Sequence, residues 1–401
     1  MNPWLAARLH SEKSRRQSQS LWRLPRAVPP GCVDLGSNDY LGLARHPQVL
    51  EGASEAIARS GGGARASRLL GGDHDEVRAL EDELARWKSR PGQSLRALVF
   101  SSGYAANIGT ITALAGRGDA LLCDKRNHAS LIDAARLAEA NGARVRFYGS
   151  TAKLRSLLEG ARDSAQHHSA QPSPGPRGVW IVSDTVYSMD GDIADVRGLL
   201  ELARTFDAAL ILDDAHGSGV LGSRGRGALE AAQAEVAGEV AVVTLGTLSK
   251  ALGSQGGFVV ARAEVIAWLV NAARSFVFST GIAPAACGAA RAALQVLEAE
   301  PGRLERLHWL SRLLARELSG LGFEAKYRGT PIISILAGEP ERTLQWSRAL
   351  QEGGVWCPAV RPPTVAAGTS RLRASLRADL SDAEIERATQ AFARLAREDA
   401  S

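Results

Sequence analysis

The chain is 401 residues long, which exceeds one average domain and allows a large domain with a smaller appendage. Hydrophobic residues make up 45% and charged residues 23%, and no run of about 18 apolar residues occurs, so we expect a soluble globular protein without a membrane-spanning helix. The formal net charge is only +5 and aromatic residues make up 5%, which argues against a surface that binds nucleic acid.

The N-terminal residues 1–24 are polar and basic and lack the apolar core that a secretory signal peptide requires. Four cysteines lie far apart and form no Cys-x-x-Cys pair, which argues against a zinc site or a redox dithiol. We therefore expect a cytoplasmic protein with reduced thiols and no bound metal. The cysteines are Cys32, Cys123, Cys287 and Cys357.

A glycine-rich stretch at residues 60–76 resembles a nucleotide-binding loop in composition only. It has no Gly-Lys-Ser/Thr ending, and no strand–glycine–helix order is evident around it. We therefore do not interpret it as a nucleotide site.

From about residue 95 to residue 262, short apolar runs alternate with amphipathic helical patterns. Nearly continuous apolar runs of this kind are typical of parallel strands whose two faces are covered by helices. Such sheets bind their ligands beyond the carboxyl ends of the strands, so the chemistry should follow the apolar runs. The predicted strands are residues 97–100, 120–124, 144–148, 179–184, 208–214 and 240–245.

Residues 160–178 are polar and rich in proline and serine, which predicts an exposed loop inside this α/β domain. His167 and His168 lie within that segment. Because no third ligand stands nearby, we interpret them as a solvated pair and not as a metal site.

The pattern changes beyond about residue 285, where a long helical stretch at 284–322 precedes two short strands at 331–338 and 371–376. The closing helix starts with a capping box, because Ser381 stands three residues before Glu384. We predict a smaller α+β domain here. The predicted division is an N-terminal segment at 1–50, a large α/β domain at 51–285 and a small domain at 286–401.

One lysine, Lys250, stands in an otherwise uncharged stretch at residues 245–258, although the chain has 42 arginines and only six lysines. Desolvation lowers the pKa of a lysine, and an amine held near a carbonyl readily forms a Schiff base. A permanently protonated arginine can neither form an imine nor accept a proton. Taken alone, the pattern leaves open an ordinary surface lysine.

Polar residues also follow the other predicted strands. Asp213, Asp214 and His216 end one of them, and buried acidic groups need a cationic partner such as a protonated pyridine nitrogen, although a capped strand end is the alternative. Residues 101–104 open a helix whose N–H groups suit a phosphate. His128 offers an imidazole that could stack on a flat ring or simply lie at the surface. Together these groups are what pyridoxal phosphate (PLP) requires.

Six stretches resemble the α-oxoamine synthases, fold-type-I PLP enzymes that join an amino acid to an acyl thioester. The resemblance covers nearly the whole chain and implies an α/β fold with a mostly parallel seven-stranded sheet and a smaller α+β domain. It also implies a homodimer with shared active sites. The stretches are residues 35–43, 101–107, 127–136, 186–196, 213–222 and 247–258.

The resemblance implies specific roles in cofactor binding and catalysis. Lys250 would bind PLP as a Schiff base and then remove the Cα proton of the amino acid. His128 would stack on the ring and contact the substrate, Asp213 would pair with the ring nitrogen, and His216 would contact the phenolic oxygen. The other implied cofactor ligands are Gly103, Tyr104, Ser188 and Thr247, of which Thr247 would reach the phosphate.

Arg373 would hold the carboxylate of the amino acid substrate. In a strand, Arg371, Arg373 and Ser375 share one face, and an arginine fork suits a carboxylate. Without the resemblance, two surface arginines on an edge strand would be the simpler interpretation.

Residues 355–373, with Arg-Pro-Pro-Thr-Val, resemble the branch of the family that condenses L-alanine with a pimeloyl thioester in biotin biosynthesis. Thr364 and an N-terminal arginine would contact the acyl substrate. Arg23 is favoured, but Arg26 is an alternative because the N-terminal spacing is ambiguous. The acyl carrier, CoA or acyl carrier protein, is left open.

Two other functions use the same fold. A glycine C-acetyltransferase would keep the cofactor and join glycine to acetyl-CoA, giving 2-amino-3-oxobutyrate. A non-catalytic regulator that binds DNA would need an added helix-turn-helix domain, and the segment before residue 35 leaves little room for one.

Overall fold

The computed structural model describes residues 1–90, 92–167, 177–233 and 240–399. The described residues form twelve strands, and the predicted strands are confirmed with ends that agree within two residues. The strands are β1 Val33–Asp34, β2 Leu95–Phe100, β3 Ala120–Asp124, β4 Arg144–Tyr148, β5 Val179–Asp184, β6 Ala209–Asp213, β7 Val242–Thr247, β8 Gly257–Arg262, β9 Ile332–Gly338, β10 Val355–Trp356, β11 Ala359–Val360 and β12 Ser370–Ser375.

Fourteen α-helices and a 3-10 turn at Arg68–Leu70 complete the described elements. Within these residues no helix combines the length and the apolarity needed to cross a bilayer. The helices are α1 Pro3–Ser18, α2 Pro47–Ser60, α3 Asp75–Lys88, α4 Gly103–Leu114, α5 Ala129–Ala140, α6 Thr151–His167, α7 Val196–Thr205, α8 Ala228–Ala231, α9 Ala263–Ala272, α10 Arg274–Val277, α11 Pro284–Ala299, α12 Gly302–Gly320, α13 Pro340–Glu352 and α14 Asp382–Asp399.

Two helix predictions need correction. The expected loop at 160–178 is wrong for residues 160–167, which continue α6 because alanine, arginine and glutamine favour a helix there. His167 is the last residue of α6, and His168 lies outside the described residues. The long helical stretch at 284–322 is two helices, since Pro301 lacks the N–H that would continue α11.

The chain forms two compact units. The larger unit contains residues 39–188 and 192–304, and the smaller unit contains residues 1–38, residues 189–191 and the residues from 305 onward. The predicted division instead places boundaries after residues 50 and 285.

The boundary falls later because α11 packs closely against α2 within the larger unit. A Cβ atom on Gly288 of α11 would lie 2.2 Å from the carbonyl oxygen of Gly52 of α2. Only glycines allow the two backbones to approach so closely. This contact keeps α11 with the larger unit.

The larger unit is built around a seven-stranded sheet in the order β2-β8-β7-β6-β5-β3-β4. Neighbouring strands are parallel except for β8, which runs antiparallel to both β2 and β7. Successive residues of β6, such as Ile211 and Leu212, point to opposite faces and are fully buried. The predicted mostly parallel sheet, covered on both faces, is confirmed.

The smaller unit contains a three-stranded antiparallel sheet in the order β11-β12-β9 and a parallel pair formed by β1 and β10. Helix α13 packs against β12, which is the central strand. The predicted capping box of α14 is confirmed. The backbone N–H of Glu384 donates to Ser381 Oγ at 3.2 Å, and that of Ser381 donates to Glu384 Oε2 at 2.8 Å.

Candidate active site

The carboxyl ends of β5, β6 and β7 lie side by side in the large sheet, and a polar residue ends each strand. Asp184 ends β5, Asp213 ends β6 and Thr247 ends β7, and all three are buried. Lys250 follows three residues after Thr247, in the turn that leads to β8. Parallel strands therefore gather these groups at one edge of the sheet.

Asp213 is held at the end of β6 by two N–H donors. The backbone N–H of Ala215 donates to Oδ1 at 2.9 Å, and Asn107 Nδ2 donates to Oδ2 at 2.6 Å. Each oxygen of the carboxylate therefore has one donor that fixes its position. A carboxylate has about four acceptor positions, so two donors leave capacity for a cationic N–H group.

His128 precedes α5 and places its imidazole beside the same strand ends. The ring is partly exposed, while its Nδ1 lies 2.7 Å from the hydroxyl of buried Ser130. Desolvation of the ring lowers the pKa of His128, the negative charge of Asp213 opposes that shift, and the positive charge of Lys250 adds to it. The ring is therefore neutral at neutral pH and offers a surface for stacking.

Asp184 and Asn127 fasten the His128 segment to β5. Asp184 Oδ2 accepts the backbone N–H of His128 at 2.6 Å, and Asn127 Oδ1 accepts the backbone N–H of Asp184 at 2.9 Å. Burial raises the pKa of Asp184 well above its ordinary value, and the charge of Asp213 raises it further, whereas Lys250 opposes the shift. Lys250 thus acts electrostatically on both His128 and Asp184.

Thr247 lies beside the first turn of α4. A Cβ atom on Gly103, the first residue of that helix, would stand 3.5 Å from Thr247 Oγ1. The Thr247 hydroxyl donates to the carbonyl of Gly256 at 2.8 Å and lies 2.7 Å from Ser249 Oγ. The hydroxyl groups of Thr247 and Ser249 therefore lie close to the N-terminus of α4, an arrangement that suits a phosphate.

Glycines let the turn after β7 fit against this helix. Gly256 has φ of +131°, a conformation that L side chains rarely adopt. A Cβ atom on Gly257 would come within 2.4 Å of the carbonyl oxygen of Ser102, which caps α4. These two glycines therefore let the chain turn back into β8 beside the start of α4.

Three more predicted cofactor ligands lie in the larger unit. His216 is buried, and its Nδ1 lies 2.7 Å from the hydroxyl of Tyr40. Tyr104 is 47% exposed and donates to Asp133 Oδ2 at 2.5 Å, a hydrogen bond that raises the pKa of Tyr104. Ser188 is partly buried and follows β5.

The side chains gathered in the larger unit fit PLP. A buried carboxylate suits its ring nitrogen, a partly exposed imidazole suits its ring face, and hydroxyl groups beside a helix N-terminus suit its phosphate. The amine of Lys250 completes the set. No group of three or more His, Cys, Asp or Glu that could hold a metal ion occurs among the described residues.

Arg373 lies in the smaller unit, on the central strand β12, and is 6% exposed. Its Nη1 donates to Asn38 Oδ1 at 3.0 Å and to Ser375 Oγ at 2.6 Å, so Arg373 and Ser375 share a face as predicted. Arg371 is also buried and forms an ion pair with Asp190. The alternative of two surface arginines on an edge strand is therefore wrong.

Arg23 and Thr364, the predicted acyl contacts, lie together in the smaller unit. Arg23 Nη2 donates to Thr364 Oγ1 at 3.1 Å and to the carbonyl of Arg361 at 3.3 Å. Burial lowers the pKa of Arg361, and the positive charges of Arg23 and Arg26 lower it further. Three arginines therefore form one cluster, and no ion pair is found for any of them within the described ranges.

Several residues of this arrangement were not predicted as functional. Asn107, Asn127 and Ser130 stand inside the stretches that carry the resemblance, but nothing in their spacing pointed to Asp213 or His128. Asp184 ends an apolar run just as Asp213 does, so the same signal could have found it.

Lys88 was missed because its partner is 126 residues away in sequence. It is buried and donates to Asp214 Oδ2 at 2.9 Å, to Ser218 Oγ at 2.7 Å and to the carbonyl of Arg226 at 2.7 Å. Asp214 therefore already has a cation within the protein. Only Asp213 of the two neighbouring aspartates is available to a cationic ligand.

Known proteins resemble this chain over most of its length. The model of the family "Aminotransferase class I and II" matches residues 30–392. The 8-amino-7-oxononanoate synthase of Geobacter sulfurreducens is 44% identical, with 91% of this chain and 89% of the relative covered. The enzyme of that name from Mycolicibacterium gilvum is also 44% identical, with 94% and 93% covered. Among solved structures, a variant of serine palmitoyltransferase from S. paucimobilis with bound PLP and myriocin superposes with a TM-score of 0.84 at 27% identity, with 97% of each chain covered.

These matches extend over nearly the whole chain, and they indicate both its fold and its cofactor. They confirm the predicted resemblance to α-oxoamine synthases, the fold-type-I architecture and the use of PLP. The chain belongs to the class I and II aminotransferase family and, within it, to the PLP-dependent 8-amino-7-oxononanoate synthases.

Proposed function

We propose that the chain condenses L-alanine with a pimeloyl thioester and releases 8-amino-7-oxononanoate, CO2 and the free thiol carrier. The observation that carries the proposal is the gathering of Lys250, His128, Asp213 and Thr247 at the carboxyl ends of neighbouring strands. The names of the relatives that match nearly the whole chain support the choice of this reaction.

In this proposal the larger unit holds PLP. Lys250 binds the aldehyde carbon, Asp213 accepts the N–H of the ring nitrogen, and His128 stacks on the ring face. Thr247, beside the start of α4, binds the phosphate together with the helix N–H groups. His216 is assigned to the phenolic oxygen, and Tyr40 orients its imidazole through the 2.7 Å hydrogen bond. Gly103, Tyr104 and Ser188 are the remaining assigned ligands.

Bound PLP supplies an electron sink for the pair of electrons left when the Cα proton departs. Once L-alanine has released the Lys250 amine from the aldehyde carbon, that amine would accept the Cα proton. Cα would then bond to the thioester carbonyl carbon as the free thiol carrier leaves, and Lys250 would return a proton to Cα after CO2 has left. The carboxylate of Asp213 keeps the ring nitrogen protonated, which is the state that withdraws electrons most strongly. Lys250 then has the role for which an arginine is unsuited, because its amine can be both neutral and charged.

Arg373 is assigned to the carboxylate of the amino acid. Its guanidinium is fixed by Asn38 and Ser375, so the fork is oriented before substrate arrives. Preorganised donors of this kind lower the entropic cost of binding a carboxylate. Arg371, which is already paired with Asp190, does not compete for this role.

The acyl substrate is assigned to Arg23 and Thr364. The charges of Arg23, Arg26 and Arg361 lie close enough to affect one another, which supports binding of an anionic group. The free carboxylate at the end of a pimeloyl chain supplies such a charge, and so do the phosphates of CoA. The preference for a pimeloyl thioester over glycine and acetyl-CoA therefore rests on the names of the relatives.

A cytoplasmic homodimer with shared active sites belongs to the same proposal and rests on the family resemblance. Sedimentation of the purified chain at micromolar concentration tests it. A chain that sediments only as a monomer while it is fully active would contradict the shared sites.

The reaction is tested by mass spectrometry of the products after incubation with each substrate pair. We expect 8-amino-7-oxononanoate from L-alanine and pimeloyl-CoA, and little or no 2-amino-3-oxobutyrate from glycine and acetyl-CoA. Turnover of glycine and acetyl-CoA alone would overturn the proposal in favour of the alternative. Pimeloyl-acyl carrier protein, compared at equal concentration, identifies the preferred acyl carrier.

The role of Lys250 is tested by borohydride reduction followed by peptide mapping. We expect the reduced cofactor on Lys250, and a Lys250→Ala variant without measurable turnover. Lys125→Ala, which removes an exposed lysine, is the matched control and should keep full activity. A label on another lysine would contradict the assignment.

A further inference from the structure

A continuous chain of hydrogen bonds joins His128 to Asp213 through Ser130 and Asn107. Ser130 Oγ lies 2.7 Å from His128 Nδ1, and Asn107 Nδ2 lies 2.8 Å from that hydroxyl oxygen and 2.6 Å from Asp213 Oδ2. Asn107 is 3% exposed and Ser130 is fully buried, so water does not compete for these contacts. The chain connects the residue assigned to the ring face with the residue assigned to the ring nitrogen.

The direction of each hydrogen bond follows from the chemistry of the groups. Asp213 accepts, so the amide nitrogen of Asn107 faces it and gives one hydrogen to the carboxylate and the other to Ser130 Oγ. The backbone N–H of Ser130 donates to His128 Nδ1 at 3.3 Å. Nδ1 is therefore an acceptor, and the Ser130 hydroxyl gives its own hydrogen to the same nitrogen. His128 is thus neutral, with its proton on Nε2.

The charged groups around His128 act in both directions. Asp213 and Asp133 favour a protonated ring, while desolvation and the positive charge of Lys250 disfavour it, and the balance lowers the pKa of His128. The Asp184 carboxylate accepts the backbone N–H of His128. The negative charge of nearby Asp213 favours protonation of the imidazole, and the two donors that face Nδ1 oppose it.

We propose that Asn107 and Ser130 are positioning residues that hold His128 neutral against the cofactor ring while Asn107 also holds the Asp213 carboxylate in place for the ring nitrogen. The proposal rests on the PLP site of the proposed function. A protonated imidazole stacked on a protonated pyridine ring would bring two like charges into contact, which a neutral imidazole avoids. The side-chain amide of Asn107 thus supports both residues, because it donates to the Asp213 carboxylate and to the Ser130 hydroxyl that faces His128.

The test is a pH titration of the holoenzyme labelled with ¹⁵N-histidine, in which a His128→Gln variant identifies the His128 signals. In the unsubstituted protein we expect the ¹⁵N shifts of a neutral ring protonated on Nε2 down to a pH below the ordinary histidine pKa of about 6.5. Ser130→Ala removes a donor to the neutral ring and should raise the pKa of His128 by about one unit. The acidic limb of the kcat profile should move upward by a similar amount.

Asn107→Leu is the second variant, and it should raise the pKa of His128 and weaken PLP binding about tenfold, because Asp213 loses a donor. Thr110→Val is the matched control. Thr110 lies on α4, as Asn107 does, and its buried hydroxyl has no hydrogen-bond partner among the residues described. We expect no change in its histidine titration or PLP affinity.

Two results would overturn the proposal. One is an Nδ1-protonated His128 in the unsubstituted holoenzyme, and the other is a His128 titration that stays unchanged in Ser130→Ala. Ser130→Ala removes a single oxygen, so it decides the question even where Asn107→Leu fails to fold. Failure of the proposed function would instead appear in the unsubstituted protein, as absence of product or of borohydride labelling.

Discussion

Asp213 and Asp214 are neighbours in sequence but lie in opposite electrostatic surroundings. Among the described residues, Asp213 receives neutral N–H donors from Asn107 and Ala215, whereas Asp214 receives the ammonium of buried Lys88. Alternation along the end of β6 directs the two side chains to opposite faces of the sheet. One carboxylate is neutralised inside the protein and stabilises the fold, and the other retains its charge for a ligand.

Substitutions of Lys88 and Lys250 should show the largest difference between a structural and a catalytic cation. Lys88→Met should lower the free energy of unfolding by about 3–5 kcal/mol, because Asp214 remains buried without its cation. Lys250→Met should cost about 1 kcal/mol or less in stability and should abolish turnover. Urea unfolding of the PLP-free proteins measures the two stabilities, and product assays with added PLP measure turnover. Equal losses of stability in the two variants would contradict the distinction.

The two aspartates give the complementary pair of variants. Asp213→Asn should leave the urea midpoint nearly unchanged and lower kcat/KM by about 10²–10⁴-fold, since the ring nitrogen loses its anionic partner. Asp214→Asn should instead cost about 3 kcal/mol of stability, because Lys88 is left buried and uncompensated. A stable but inactive Asp214→Asn variant would reverse our assignment of the two faces.

Asp184 tests the pH dependence of the site. Its folded-state pKa is raised by burial and by Asp213, so the stability it contributes is fully present below the ordinary aspartate pKa and is lost as pH rises through the folded-state value. Asp184→Asn keeps an acceptor for the His128 N–H and has no proton to lose. Relative to the unsubstituted protein, it should therefore gain about 1–3 kcal/mol as pH rises from 4 to 8. Parallel unfolding curves at both pH values would disprove this.

The smallest expected effect concerns two threonines of β7 that face opposite sides of the sheet. Thr247→Val removes a hydroxyl assigned to the phosphate and should raise the dissociation constant of PLP about tenfold. Thr244→Val removes a buried hydroxyl from the other face and should leave PLP affinity unchanged. Fluorescence titration of the apoenzyme measures both constants. Equal weakening in the two variants would locate the phosphate elsewhere.

The strands were predictable from sequence because each is a short apolar run bounded by turn residues. The runs at 120–124, 144–148 and 179–184 match β3, β4 and β5 residue for residue. Asp213 ends one such run and Lys250 lies in the turn after another, so the local pattern pointed to both residues. Their catalytic roles came from the family resemblance.

Contacts between distant segments were not predictable in the same way. Asn107 meets Asp213 across 106 residues, and Lys88 meets Asp214 across 126, and no local period relates such pairs. The burial of Arg371 and Arg373 was also missed, because the position of β12 between two other strands depends on sheet order and not on its own residues. The sequence therefore predicted the candidate site residues but not the residues that contact them.

The antiparallel direction of β8 has a consequence for the order of folding. Because Thr247 pairs directly with Gly257, the turn that carries Lys250 is closed by contacts only ten residues apart along the chain. Short-range contacts of this kind form early, whereas contacts that span a hundred residues form late. We therefore expect the β7–β8 hairpin that carries Lys250 to form before Asp213 and His128 reach their places in the site. The cofactor would then bind after the larger unit has folded and would not direct its folding.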